Sequence, residues 1–329
     1  MSSVEPIRLA RALRPPESLR ELQTRFASEA DCEEFLYRVR FPQGFVCPRC
    51  AEQRGWPLKG RRLIECARGH KVSLTAGTIL HRTRQDLSTW FHAAYLVSTL
   101  TPGISALQFQ RQFGLRRYET AFQMLHKIRS VLVAPVRERL HGEVEVDETF
   151  VGGKDADRDG RGGDKVLVVG AIELRNLSAH GRSPKRRPVG RVRLRVVRDA
   201  SANSLAGFVE TEVERGAIVH TDGWDGYRRL ARSGYDHRRV VQGKGRTAKP
   251  IMLHLHRVFS NLKAWLQGTH HGRIEPQYLQ AYLNEYTFRF NRRFWRGPAF
   301  LRALMLMTEP TEAPNPCAHK ILRSPKPTG

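Results

Sequence analysis

The chain has 329 residues, 40% of them hydrophobic and 27% charged, which is ordinary globular composition and excludes wholesale disorder. Lys plus Arg number 56 against 32 Asp plus Glu, a formal net charge of +24. A chain this basic repels itself unless a polyanion neutralises it, and nucleic acid is the usual polyanion. No apolar run reaches the roughly 18 residues of a membrane span, and no apolar block follows the first basic residues as in a signal peptide. Five cysteines, an odd number, fit a reducing compartment. A cytoplasmic protein is expected, which in a bacterium has access to DNA.

Residues 1–16 are polar, carry Pro15-Pro16, and predict a flexible N-terminus. Leu19, Leu22 and Phe26 keep helical spacing and predict one helix over 17–40, with Cys32 a small buried hydrophobe near its end. Residues 41–75 lose that periodicity and hold three of the five cysteines. Cys47 and Cys50 form a C-x2-C knuckle, and Cys66 and His70 a C-x3-H knuckle, with fifteen residues between them. Three soft thiolates and an imidazole suit tetrahedral zinc, and four protein ligands make the site structural. His70 is the unusual member, because a second C-x2-C is commoner, and His81 is a substitute.

From Leu87 the pattern is helical again, broken at Pro102-Gly103. A short helix from Ser105 to Phe113, a stop at Gly114 and a longer helix from Arg117 to Val133 have the outline of a helix-turn-helix. The second helix region carries Arg116, Arg117, His126, Lys127 and Arg129, which a major groove could accept. The same pattern also describes a helical hairpin with a solvated basic face.

After Pro135 the alternation has period two. Strands are predicted at 143–147, 165–174, 191–197, 217–220 and 238–241. A helix at 201–213 has Ser201 as its N-cap, and further helices fall at about 252–267 and 276–290. A tail from Pro310 carries five prolines. This describes an α/β domain. Glu145, Asp147 and Glu148 end the first strand and Asp222 ends the fourth, where open α/β sheets place their chemistry. Carboxylates converging there repel unless a divalent cation lies between them, and oxygen ligands suit Mg²⁺ or Mn²⁺. Taken alone, Asp222-Gly223 is equally a turn.

The string Val146-Asp147-Glu148-Thr149-Phe150-Val151-Gly152-Gly153 resembles the opening strand of bacterial insertion-sequence transposases that join a zinc ribbon to a DDE-type domain. The likeness extends to Ser73-Leu74-Thr75-Ala76-Gly77-Thr78, Gly103-Ile104-Ser105-Ala106, Thr221-Asp222-Gly223-Trp224, Ser260-Asn261-Leu262-Lys263, Gly268-Thr269-His270-His271-Gly272 and Phe288-Arg289-Phe290-Asn291-Arg292-Arg293. It runs in order over about residues 20–300. It implies an RNase-H-like catalytic domain over 140–300, a helix plus zinc ribbon over 17–84, a helical DNA-binding region over 85–139, and a helix end with a Pro-rich tail over 301–329. It implies Mg or Mn at Asp147 and Asp222, and cleavage and joining of transposon-end and target DNA by a homo-oligomer.

The third ligand is open. Relatives place Glu seven residues before a Lys, and the residue seven before Lys263 is His256. Relatives also use Asn, and Asn261 lies about 140° around the helix from His256. Glu285 has the right charge. Lys263 is expected on DNA phosphate. His256 in place of an acid leaves a second reading, a non-catalytic DNA-binding regulator derived from a transposase.

Two basic runs complete the pattern. Arg182 to Arg198 carries eight Lys or Arg and no acid. Arg289, Arg292, Arg293 and Arg296 alternate with Phe288, Phe290, Phe294 and Trp295. Arginines with aromatics can track phosphates and stack on unpaired bases, while the plainer reading puts the aromatics in the core and only the arginines outward.

Overall fold

The computed structural model describes residues 13–58, 60–134, 137–152, 165–174, 189–240, 252–272 and 274–310. The N-terminus up to residue 12, expected from the sequence to be flexible, the basic stretch 182–188, Val241 and the tail beyond 310 lie outside the described residues. The chain divides into two units, one made of 1–134 with 292–329 and the other of 135–291. The first unit therefore draws on both ends of the sequence, and residues 292–300 belong to it rather than to the α/β domain.

In the first unit, the single helix expected over 17–40 is two helices, α1 (Leu19–Arg25) and α2 (Glu29–Arg40). The break has a local cause. Ser28 accepts from the Asp31 amide while Asp31 accepts from the Ser28 amide, so a capping box starts a new helix where the apolar spacing alone would continue the old one. Cys32 thus sits near the start of α2, fully buried, and burial pushes its thiol up to about 12. Three short antiparallel strands follow, β1 (Gly55–Leu58), β2 (Leu63–Cys66) and β3 (Lys71–Ser73). Arg40, at the end of α2, donates to the carbonyls of Ser73 (3.0 Å), Leu74 and Ala76 (2.7 Å), which ties helix to ribbon.

Next come α3 (Leu87–Thr99), α4 (Ala106–Gln112) and α5 (Tyr118–Val131). Ser105 caps α4, and α4 ends at Gly114 with φ +58 while the Leu115 amide bonds the Gln110 carbonyl, a glycine-terminated stop. The expected pair of short helices meeting at Gly114 is present. Its last element is α9 (Arg296–Thr308), whose Phe300 packs against Phe26 (6.3 Å), Phe91 (6.1 Å) and Tyr95 (5.7 Å between centroids). No apolar spacing beyond 300 was read as a full helix from the sequence, because the Pro-rich tail dominated that segment.

The second unit is a five-stranded mixed sheet in the order β6-β5-β4-β7-β8. Its strands are β4 (Glu143–Val151), β5 (Val166–Leu174), β6 (Val189–Val196), β7 (Ile218–Thr221) and β8 (Asp236–Arg239). The first three pair antiparallel, and β7 joins β4 and β8 in parallel. On one face Val144, Val146, Val169 and Ala171 pack on α6 (Ala202–Glu212) and on a 3-10 helix, Asp225–Ser233, that carries Tyr227 and Leu230. On the other, Val151, Val168, Ile172, Val192 and Leu194 pack on α7 (Leu253–His270) and α8 (Pro276–Asn291). Both faces of β5 are covered, as its continuous apolar run requires. Among the described residues no helix is long and apolar enough to cross a membrane.

The alternating arginines of β6 point away from α7 but not into solvent. Arg191 forms a fork on buried Glu173, Arg193 lies 3.4 Å from Glu212, and Arg195 and Arg137 reach the same Glu212 carboxylate. The basic run up to Arg198 therefore supplies no continuous DNA face over β6; Arg198 itself is exposed. Removing one member of a buried ion pair strands the other, so Glu212→Ala is expected to lower unfolding free energy by about 3–5 kcal/mol in denaturant titration. Arg198→Ala should stay within about 0.5 kcal/mol of the parent.

Candidate metal and catalytic sites

Two sites emerge, one in each unit. In the ribbon, each knuckle is a tight turn. The Ala51 amide bonds the Cys47 carbonyl and the Gly69 amide bonds the Cys66 carbonyl, both at 2.9 Å or less, with φ positive at Ala51 and Gly69. The turns bring Cys47, Cys50, Cys66 and His70 together with all four ligand atoms within 4.8 Å of one another. The separations are 3.9 Å for Cys50 Sγ to Cys66 Sγ, 3.9 and 3.7 Å from His70 Nδ1 to Cys47 and Cys66, and 3.2 Å to Cys50. A zinc–sulfur bond of about 2.3 Å implies a tetrahedron edge of about 3.8 Å, so the donor set fits zinc. His70 turns its Nδ1 toward the three sulfurs, so this is the nitrogen that would reach a metal. His81, the substitute, instead accepts from the Gly77 amide at 3.2 Å and is exposed. Burial resists ionisation of Cys47, but amides of Arg49 and Cys50 and the neighbouring thiols bring it down to about 6. We expect about one zinc per purified chain by metal analysis, and a large loss of bound zinc in Cys50→Ser; unchanged zinc in that variant would remove Cys50 from the ligand set.

In the second unit, the β4–β7 ladder pairs Glu143 with Ile218, Val144 with Val219 and Glu145 with His220 in parallel. The paired register ends at Glu145 and His220; Asp222 is the first residue past β7 and Asp147 lies two residues further along β4, close enough for the charge of Asp222 to act on its carboxyl. Asp222 turns the chain, accepting from the Trp224 amide at 2.9 Å, so it is both a turn residue and a strand-end carboxylate. Burial raises the Asp147 carboxyl from its ordinary value; bonds from His256 and the Glu148 amide pull it back, and the charge of Asp222 adds to the rise. Glu148 points to the other face, where Tyr227 O–H donates to it at 2.6 Å. Burial first, and then the charges of Asp147 and Asp222, push Glu148 up to about 7 against that hydrogen bond. Two such carboxylates on adjacent strands have the oxygen chemistry to hold a divalent cation.

His256 is the third group. Its Nε2 lies 2.7 Å from Asp147 Oδ2. Asn261, five positions on, is exposed on another side of α7. Glu285 is fully buried on α8, which packs beside β6, two strands from β4, and it pairs with Arg289 at 3.5 Å. Burial and the nearby charge of Lys165 lower the Lys263 ammonium from its ordinary value.

Sequence reasoning missed what aims His256. Glu145, buried on β4, accepts from the first amides of α7, His254 N at 3.1 Å and Leu255 N at 2.9 Å, and lies 2.8 Å from His254 Nδ1. A carboxylate at a helix N-terminus is favoured by unsatisfied amides and by the helix dipole. Only the period-two alternation of 143–147, which puts Glu145 and Asp147 on one face, could have signalled it.

Of the expected DNA contacts, Arg116 and Arg117 are exposed ahead of α5, and Lys127 is partly buried, which lowers its ammonium from the ordinary value. Arg129 is a correction: it is 0% exposed and donates to the Ile104 carbonyl at 3.0 Å, so it braces the helices and has no face to offer a groove. His126 is likewise buried. Arg292 is partly buried and Arg293 is exposed.

Comparison with known families matches a domain in each unit. Residues 139–291 match the ISXO2-like transposase domain, and residues 27–71 match the transposase zinc-ribbon domain. The chain carries the two domains of an insertion-sequence transposase. No curated protein matches it. The transposase domain coincides with the mixed-sheet unit that bears Asp147 and Asp222, and the zinc-ribbon domain ends one residue past His70.

Glu145→Ala is expected to speed amide exchange at His254 and Leu255 and to lower stability by about 0.5–2 kcal/mol, the worth of a helix cap. Unchanged exchange there would refute the anchoring role.

Proposed function

We propose that the chain is a DDE-type transposase that binds transposon ends and carries out metal-dependent DNA cleavage and strand transfer, with an RNase-H-like catalytic domain. The observation that supports this best is the Asp147 carboxyl with His256 at 2.7 Å and the charge of Asp222 acting on it. The sheet order, three antiparallel strands followed by two parallel ones, is compatible with that fold.

In this reading Asp147 and Asp222 would hold Mg²⁺ or Mn²⁺, and the ion would supply Lewis acidity toward the attacking hydroxyl and the leaving oxygen. His256 fixes the Asp147 carboxylate or completes the ligand set. Lys263, with Lys165 near it, holds the phosphate backbone, because two ammonium groups in mutual repulsion gain from an anion between them. Arg116, Arg117, Lys127, Arg292 and Arg293 hold DNA through phosphates, the zinc is structural, and a homo-oligomer pairs the two ends.

The test is cleavage of DNA bearing the element's own ends with Mn²⁺. Asp147→Asn and Asp222→Asn should each abolish cleavage while end binding stays within a few-fold of the parent, since the DNA-holding charge lies on other residues. His256→Ala should cost orders of magnitude and His256→Glu should retain Mg²⁺-dependent activity, with Asn261→Ala mild. Normal cleavage by Asp147→Asn would overturn the enzymatic reading and favour a DNA-binding regulator.

A further inference from the structure

The short turn between α8 and α9 carries the most exposed large apolar side chains of the described residues. Phe294 is 74% exposed and Trp295 56%, although the sequence pattern expects aromatics here to be core. Their rings stand 6.3 Å apart at 84°, so each offers a separate face. The Arg293 guanidinium lies 4.7 Å from the Phe294 ring centroid. From Asn291 to Thr308 the chain bears Arg292, Arg293, Arg296 and Arg302 and no Asp or Glu.

The base under these rings is firm. The Trp295 amide bonds the Arg292 carbonyl at 2.9 Å, and the Trp295 carbonyl accepts from the Ala299 amide at 3.0 Å as α9 begins. Gly297, buried, lies so close to the Pro15 and Pro16 carbonyls that an added Cβ would meet them at 3.3 and 3.4 Å. Two large aromatics held in water on a rigid turn lose little side-chain entropy when a flat partner covers them.

We infer that Phe294 and Trp295 form a stacking platform for unpaired nucleobases, with Arg293 and Arg296 on the flanking phosphates. Charge selects this occupant. A flat π-face beside exposed arginines, with no acid in the segment, complements bases on a polyanionic backbone. A protein partner, a second copy included, would have to bring acidic groups to these arginines, and this chain has 32 acids against 56 basic residues. The platform extends the transposase reading and rests on its claim of DNA binding, because cleavage at a DNA end leaves bases that can unpair.

The experiment compares the full chain on two probes at one salt concentration, a blunt duplex and the same duplex with a short single-stranded thymine overhang. The parent should prefer the overhang. Trp295→Leu and Phe294→Leu, which keep apolar bulk but remove the π-face, should each cut that preference by about tenfold and leave blunt-duplex affinity nearly unchanged. Trp295→Tyr should restore most of it. An overhang preference untouched by the Leu variants would overturn the platform while duplex binding still stood. A shift in sedimentation of the Leu variants with unchanged overhang preference would assign the surface to a second copy instead. Failure of the parent to bind either probe would remove the platform and the DNA-binding reading together.

Discussion

The transposase domain depends on how closely α7 lies over β4 and β5. Gly170 stands opposite Asp147 in the antiparallel ladder, and a Cβ there would meet the Phe259 ring at 2.8 Å. The missing side chain lets the helix approach the sheet at the level of the carboxylate. Phe259 is three residues from His256, so the contact that sets the depth of α7 also sets the height of the histidine. Glu145 then fixes the start of the helix along the strand. At that depth and register His256, although more than half exposed, reaches Asp147 at 2.7 Å.

Acidic residues are scarce in this chain, and burial shows where they are spent. Glu173 and Glu212 neutralise arginines inside the sheet unit, and Glu145 holds a helix N-terminus. Buried arginines are satisfied in the same way by carbonyls, as Arg40 and Arg129 are. Among the described residues four acids, Glu145, Glu173, Glu212 and Glu285, are buried against two arginines, Arg129 and Arg193, so the outward face is no less basic than the formal charge of +24 suggests. Arg116 and Arg117 before α5 and Arg293 and Arg296 around the start of α9 are among the exposed cations.

The sequence spoke most clearly where chemistry forces a spacing. The two knuckles could be read because four zinc ligands must come from two tight turns. Asp222 does follow the end of β7, but Asp147, expected to end a strand over 143–147, lies midway along β4, which runs on to Val151. Helix limits were harder. Apolar spacing ran through Phe26 into α2, and only the reciprocal Ser28–Asp31 bonds divide the two helices. Individual charges were hardest. Arg129 and Arg117 look alike in a basic helix, yet one is enclosed and the other is not, because the helix has an inner side that local pattern alone ranks poorly when basic residues fall on it. The 3-10 segment Asp225–Ser233 has no helical period to find, yet it delivers Tyr227 to Glu148.

The Phe26, Phe91, Tyr95 and Phe300 cluster joins side chains from opposite ends of the chain. Its last ring leaves the ribosome about 10–40 s after Phe91, at ordinary rates of synthesis. During that interval the zinc ribbon has its own strands and ligands, but the helices beside it lack a partner for their aromatic faces. The mixed sheet, by contrast, has its strands in one uninterrupted stretch ahead of α9. The core synthesised first therefore waits for the helix made last, and a chain cut short before α9 would keep both aspartates in its sheet unit while the other unit lacked Phe300.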